Sequence, residues 1–399
     1  MNWLPSSEVL QRRANVGIIV AFLIFIWLPA ADTFLHLDLT PVPNENRALA
    51  AAPKLTASLA GIQNYVNGVG EYFNDHFGFR NRLIWWERRW KWRLFRDIWL
   101  INAIVGKEGW LYFSDGRMMD DIRGTHLFSD AELEAWRTLL TGRRDWLAQR
   151  GIRYLFVIPR DKHTIYPEYL PDWLARSARP ERRVAQLLAY MREHSDVPIL
   201  DLRDALLGAK SLGMIYRQTD THWNQIGGFA AANEIIRTVA SLGFPVTPAD
   251  PAVFRPVPAT LPLGDLARMF GESNRFPDGG DLAFSPTAPL PPYQLRADQS
   301  ILPKKWFAGT DPIISENPAA KVRAVMFRDS FAHSLVPFLG QHFGRIVYVW
   351  QQNWDKRIFD TEKPDIVIDE MLERFVIFRD ADAIRKNDEQ PEVQSLADW

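Results

Sequence analysis

Apolar positions along this chain follow three patterns. The first is Val16–Leu28, an unbroken run of 13 residues behind Arg12 and Arg13, reaching 16 through Ala31. The second is helical periodicity over Leu133–Gln149, Glu181–His194 and Asn224–Leu242. Ser129-Asp130 with Glu132 marks the first helix start, and Gly151 its stop. The third is a set of short apolar runs at Ile152–Ile158, Val197–Leu200, Val322–Phe327, Arg345–Trp350 and Asp365–Ile368. Strands alternating with helices at this spacing predict βαβ units. The expected fold is α/β, three-layered, with a mostly parallel sheet. Phe331–Phe343 is amphipathic and predicts a helix following the third run.

A bilayer span takes about 20 residues, so Val16–Leu28 predicts either a short anchor or a signal-peptide core. Pro29-Ala30-Ala31 fits a cleavage site poorly, which favours an uncleaved anchor. Either way the arginines stay cytoplasmic and the remainder is exported. The expected organisation is a cytoplasmic tail and transmembrane signal anchor over 1–37, a linker over 38–60, a catalytic domain over 61–380 and a tail over 381–399. Within Gly61–Trp99, Trp85, Trp86, Trp90, Trp92 and Trp99 are interleaved with seven Arg or Lys residues, predicting a helix. It faces a membrane surface or an acidic glycan, or it packs its tryptophans on the core and solvates its arginines. The last is preferred, because aromatic stripes ordinarily bury themselves.

Composition narrows the functional classes. Of 399 residues 47% are hydrophobic and 24% charged, which suits a globular chain. A net charge of -1 gives no basis for nucleic-acid binding. There is no cysteine, which excludes thiol catalysis, Cys-based zinc and disulfides. Residues 244–318 carry 14 of the 27 prolines and predict an irregular insertion over the sheet.

Chemistry enters at two loops. Ser330 follows Val322–Phe327, at a strand's carboxyl end, where open α/β sheets place their sites. A serine hydroxyl needs a base, usually a histidine oriented by a carboxylate. Asp220-Thr221-His222-Trp223 supplies both partners ahead of a helix. Asp-x-His alone is common, and a structural histidine is its ordinary reading; the second loop-to-helix junction raises it. His333, three residues past Ser330, is read as a surface helix residue rather than the base. Lys162 and His163, after the strand ending at Ile158, are candidate pocket residues. A zinc site from His222, Asp220 and His163 is the alternative, ranked lower because no HExxH pattern is present. No metal and no cofactor are expected.

Asp220-Thr221-His222-Trp223 and Phe327-Arg328-Asp329-Ser330-Phe331, in that order, resemble the paired motifs of the alginate O-acetyltransferase family, whose periplasmic members carry an SGNH-hydrolase-like domain. Asn44-Glu45-Asn46-Arg47, Asn74–Arg80, Gly109–Tyr112, Ile158–Pro171 and Glu373-Arg374 extend the resemblance from about Asn44 to Phe375. It implies an SGNH-like fold with Ser330 as nucleophile, His222 as base and Asp220 as its orienter. It further implies a protein anchored in the bacterial inner membrane with its catalytic domain in the periplasm. Acetyl would pass from a multi-spanning membrane acyltransferase onto hydroxyls of an exopolysaccharide. One departure is Arg328, where the family often has glycine; it either crowds the turn or offers a cation to an acidic sugar. Gln352 and Asn353 are the candidates for a second oxyanion donor beside the Ser330 N–H. A carbohydrate acetylesterase of the same fold and a non-catalytic glycan-binding or assembly protein remain as alternatives.

Overall fold

The structure, a computed structural model, describes residues 7–40, 49–95, 103–259, 262–270, 281–287, 294–297 and 312–389. Asn44–Arg47, Trp99 and most of the 381–399 tail lie outside these. The chain forms two compact units, Met1–Asp97 with Met269–Gly271 and Leu396–Trp399, and Ile98–Arg268 with Glu272–Ser395.

In the first unit the helix α1, Ser7–Leu35, continues past an internal proline, Pro29. Its apolar stretch Gln11–Thr33 has 23 residues and is exposed over nearly all its length, Asp32 near its end being buried. At 1.5 Å per residue that is about 35 Å, enough for a hydrocarbon core of about 30 Å. The apolar run of 13 residues understated this helix, because its flanks continue it in both directions. Helix α2, Leu59–His76, starts where Ser58 Oγ accepts the Gly61 N–H. Helix α3 spans Arg80–Phe95. The Asp32 carboxylate, near the end of α1, accepts the Phe79 N–H at 2.8 Å and the Asp38 N–H at 2.6 Å. The first bond fastens the α2–α3 corner to the end of α1, and the second holds the chain as it leaves α1. Trp86 and Trp90 face solvent, against the expectation of buried tryptophans.

The second unit holds eleven strands among its described residues. They are β1 (Ala103–Val105), β2 (Leu111–Phe113), β3 (Arg153–Ile158), β4 (Ile199–Asp201), β5 (Phe254–Ala259), β6 (Asp281–Pro286), β7 (Gln294–Ala297), β8 (Ile313–Glu316), β9 (Arg323–Phe327), β10 (Arg345–Val349) and β11 (Ile366–Glu370). Seven form one sheet in the order β4-β3-β11-β9-β10-β8-β7. The five from β4 to β10 run parallel, whereas β8 and β7 join antiparallel. The sheet is therefore mixed. Successive strand residues alternate between two buried clusters: Leu155, Met326 and Ile368 point to one, Phe156, Val325 and Val367 to the other. Both faces are covered, which explains why these strands read as continuous apolar runs.

Helix Asp130–Ala148 opens with the full capping box between Ser129 and Glu132. Two expectations change. The Pro-rich segment is not merely irregular: it contributes the β5–β6 hairpin, a helix at Asp265–Phe270 and the two antiparallel strands at one end of the sheet. Residues 331–343 do not form one helix either. A 3-10 turn covers Ser330–Ser334 and a single α-turn Val336–Leu339. Pro337, without an N–H and with a ring that crowds the preceding turn, sits where a continuous helix would need a donor.

Candidate functional site

Ser330 lies at the carboxyl end of β9, the middle strand of the sheet. Its backbone is held from below. Asp329 caps the following turn by accepting the Phe331 N–H at 2.9 Å, and its other oxygen accepts the Leu372 N–H at 2.8 Å. Glu370 at the end of β11 accepts the Asp329 N–H at 2.8 Å. Burial, with Asp329 beside it, pushes the Glu370 carboxyl well above its ordinary range. The Phe331 N–H is thus already taken by Asp329.

The loop opposite is closed by the Tyr216–Trp223 bridge and by the Arg217 N–H donating to the His222 carbonyl at 3.2 Å. Asn224 then caps helix Gln225–Ser241 by accepting from Ile226 and Gly227. Gly228 lets this helix close on the serine's turn, since a Cβ there would lie 2.7 Å from Ser334 Cβ. The Trp223 indole donates to the Phe331 carbonyl at 3.0 Å, tying the two loops together.

These constraints bring the three residues into line. His222 Nδ1 is 2.7 Å from Asp220 Oδ1, and His222 Nε2 is 2.7 Å from Ser330 Oγ. The Asp220 side chain is 7% exposed and that of His222 31%, so the line runs from interior to surface. Burial works to raise the Asp220 proton affinity. Hydrogen bonds from His222 and the Arg217 guanidinium at 2.8 Å outweigh it and hold the carboxyl far below its ordinary value. A buried carboxylate on one nitrogen and a hydroxyl on the other is an arrangement that can take a proton from Oγ.

Asp265, in the Pro-rich segment, was missed by the sequence reading. Its carboxylate accepts the Thr221 N–H at 2.7 Å and the Thr221 hydroxyl at 2.6 Å, and stands 3.6 Å from His222 Nδ1. Its own N–H donates to Asp220 Oδ2 at 3.1 Å. Nothing local in Leu263-Gly264-Asp265-Leu266 signals this, because the contact spans 44 residues of sequence.

The remaining expected residues fall elsewhere. Lys162 is buried, and its ammonium donates to the carbonyls of Arg217, Gln218 and Asp220 at 3.0, 3.1 and 2.6 Å. It clamps the loop that presents His222. His163 is buried with Asp121 and Glu373, while Asp220 and His222 group with Asp265, so the zinc set of His222, Asp220 and His163 does not assemble. His333 Nδ1 meets the Ser330 carbonyl at 3.2 Å, and its ring stands edge-on to Trp350. The nitrogen at Ser330 Oγ belongs to His222. Arg328 neither crowds the turn nor faces solvent. It is buried, lies 4.8 Å over the Trp350 ring and donates to the Asp329 carbonyl at 3.1 Å. Gln352 is buried, its side-chain amide has no partner among the described residues, and its carbonyl accepts from Arg143 at 2.7 Å. Asn353 is half-buried in the same loop.

Residues 103–301 match the family described as SGNH hydrolase-like domain, acetyltransferase AlgX; Asp220, His222 and Asp265 lie inside that span and Ser330 beyond it. A probable alginate O-acetylase AlgJ of Azotobacter vinelandii is 26% identical over 251 residues, 60% of this chain and 58% of the relative. That of Pseudomonas fluorescens is 30% identical over 148 residues, 35% of this chain and 34% of the relative. The chain thus spans between about a third and three-fifths of these curated relatives. In fold it is similar to Bacillus cereus PatB1, with a TM-score of 0.52 and 16% identity over 70% of this chain and 100% of that one. Over residues 103–301 the chain thus belongs with the SGNH hydrolase-like, acetyltransferase AlgX domain family, and its similarity to curated proteins is to probable alginate O-acetylases.

Proposed function

We propose that this chain is a membrane-anchored periplasmic O-acetyltransferase that moves acetyl groups onto exopolysaccharide hydroxyls through an acetyl-serine at Ser330. The observation that carries the reading is the pair of 2.7 Å contacts joining Asp220, His222 and Ser330. His222 Nε2 takes the Oγ proton as Oγ bonds to the acetyl carbonyl carbon. The protonated imidazole, its Nδ1–H bonded to Asp220, then gives that proton to the departing donor group. In the second half a sugar hydroxyl loses its proton to His222 and attacks the acetyl carbon. Ser330 leaves and recovers the proton. The alginate O-acetylase relatives support acetyl as the group moved. The donor is a multi-spanning membrane acyltransferase, and α1 holds the chain in the inner membrane with the catalytic unit outside.

Water in place of the sugar makes the same site an acetylesterase, and the partial exposure of His222 favours that second reading. The test incubates the full chain, in detergent, with a chromogenic acetyl ester and sugar oligomers. Acetyl on Ser330 by peptide mass spectrometry and acetylated oligomers support transfer; free acetate alone supports the esterase. Equal turnover by Ser330→Ala overturns both.

A further inference from the structure

The first unit carries an apolar surface that its own packing leaves uncovered. On α2, Ile62, Val66, Val69 and Phe73 recur at helical spacing and stand 41 to 64% exposed. The helix is fastened through a neighbouring face, where Gly61 and Gly68 lie against Thr56 and Pro53. Helix α3 adds Trp86 and Trp90, 44% and 49% exposed, with their rings stacked 6.4 Å apart.

We infer that α2 and α3 lie in the membrane interface beside α1, with these apolar side chains set into lipid at headgroup depth. The inference rests on the reading of α1 as a bilayer span. Three observations choose lipid as the occupant. The Asp32 bond to Phe79 puts the α2–α3 corner at the end of the apolar stretch, where hydrocarbon gives way to headgroups. Tryptophan is the side chain suited to that depth, an apolar ring with one donor for the wet side. The sequence of α3 also carries six basic residues against Glu87 alone, a charge that suits anionic lipid.

Because the chain has no cysteine, single cysteines introduced into it can each carry one nitroxide label. The full chain is reconstituted in phosphatidylcholine–phosphatidylglycerol vesicles, with labels at Ile19→Cys in α1, Val66→Cys and Phe73→Cys on the stripe, and Asn64→Cys and Glu71→Cys opposite. Power saturation compares access of oxygen with access of a water-soluble nickel chelate. The expected result is oxygen-favoured access at Ile19, Val66 and Phe73 and nickel-favoured access at Asn64 and Glu71, a change of sign in the logarithm of the ratio. Nickel-favoured access at Val66 and Phe73 with Ile19 still in lipid overturns the inference and leaves the anchor intact. Exclusion of both reagents there overturns it too, assigning the stripe to a second copy or to the rest of this chain. Nickel-favoured access at Ile19 overturns the anchor itself.

Discussion

His222 Nε2 stands 2.7 Å from Ser330 Oγ although 108 residues of sequence separate them. The remaining imidazole nitrogen faces the Asp220 carboxylate at 2.7 Å, so the tautomer with hydrogen on Nδ1 leaves Nε2 free to accept from Oγ. Asp220→Asn keeps the shape but removes the charge that holds this tautomer. Turnover of an acetyl ester is expected to fall on the order of 10³–10⁴-fold with little change in KM. A loss below about tenfold would show that another group orients the base.

Asp265 provides a second carboxylate behind the same imidazole, acting through Thr221 at 2.6 Å and directly at 3.6 Å. Asp265→Asn is expected to lower kcat by roughly tenfold, less than Asp220→Asn because its contact with the ring is longer. The double variant should lose less than the product of the two single losses, since both carboxylates act on one ring. Kinetics of the four proteins make the cycle; full additivity would separate Asp265 from the base.

Gly264 lies where its hydrogen-only side chain is required. A Cβ there would come 2.2 Å from the Thr219 carbonyl oxygen and 2.6 Å from the Asp220 nitrogen. Gly264→Ala is expected to cost about 1–3 kcal/mol by overpacking, and to lower activity because the displaced backbone carries Asp220. Urea unfolding and ester turnover on the same preparation test both. A stability loss with unchanged turnover would mean the loop yields elsewhere.

Stability should depend on His163. Burial, with Arg182 and Arg374 nearby, pushes its imidazole down to about 3, below the value of about 6.5 in an unfolded chain. The unfolded state therefore binds the extra proton, and the contribution is complete above pH ~6.5 and lost as pH falls towards 3. Between pH 7 and pH 5 that amounts to about 2 kcal/mol. Asp121 beside it works in the opposite sense, since burial and Glu373 push it up to about 6. Comparing urea midpoints of the wild-type chain and His163→Gln over this range isolates the histidine; parallel pH curves would count against its being buried neutral.

Much of the second unit was legible because both sheet faces are covered. β3, β9, β10 and β11 have to be apolar on successive residues, and they read as runs. Ser129 and Glu132 announced a helix through chemistry confined to four residues. What stayed hidden depended on distant contacts. Arg328 reads as a side chain that crowds the turn or offers a cation to a sugar, whereas in the fold it is buried beneath Trp350, which follows the next strand. Lys162 reads as a pocket cation, until the loop carrying Asp220 turns three carbonyls towards it.

By itself the sequence determined which groups were available: a serine at a strand's end, an Asp-x-His ahead of a helix, and an apolar stretch at the N-terminus. Those are local features, set by periodicity and by neighbours within a turn. Only the tertiary structure decided that Asp220, His222 and Ser330 meet, that Asp265 joins them from the Pro-rich segment, and that His163 does not. Side-chain reach is a few ångströms. Which residues of distant segments come within it is settled by the packing of the whole sheet and its covering helices.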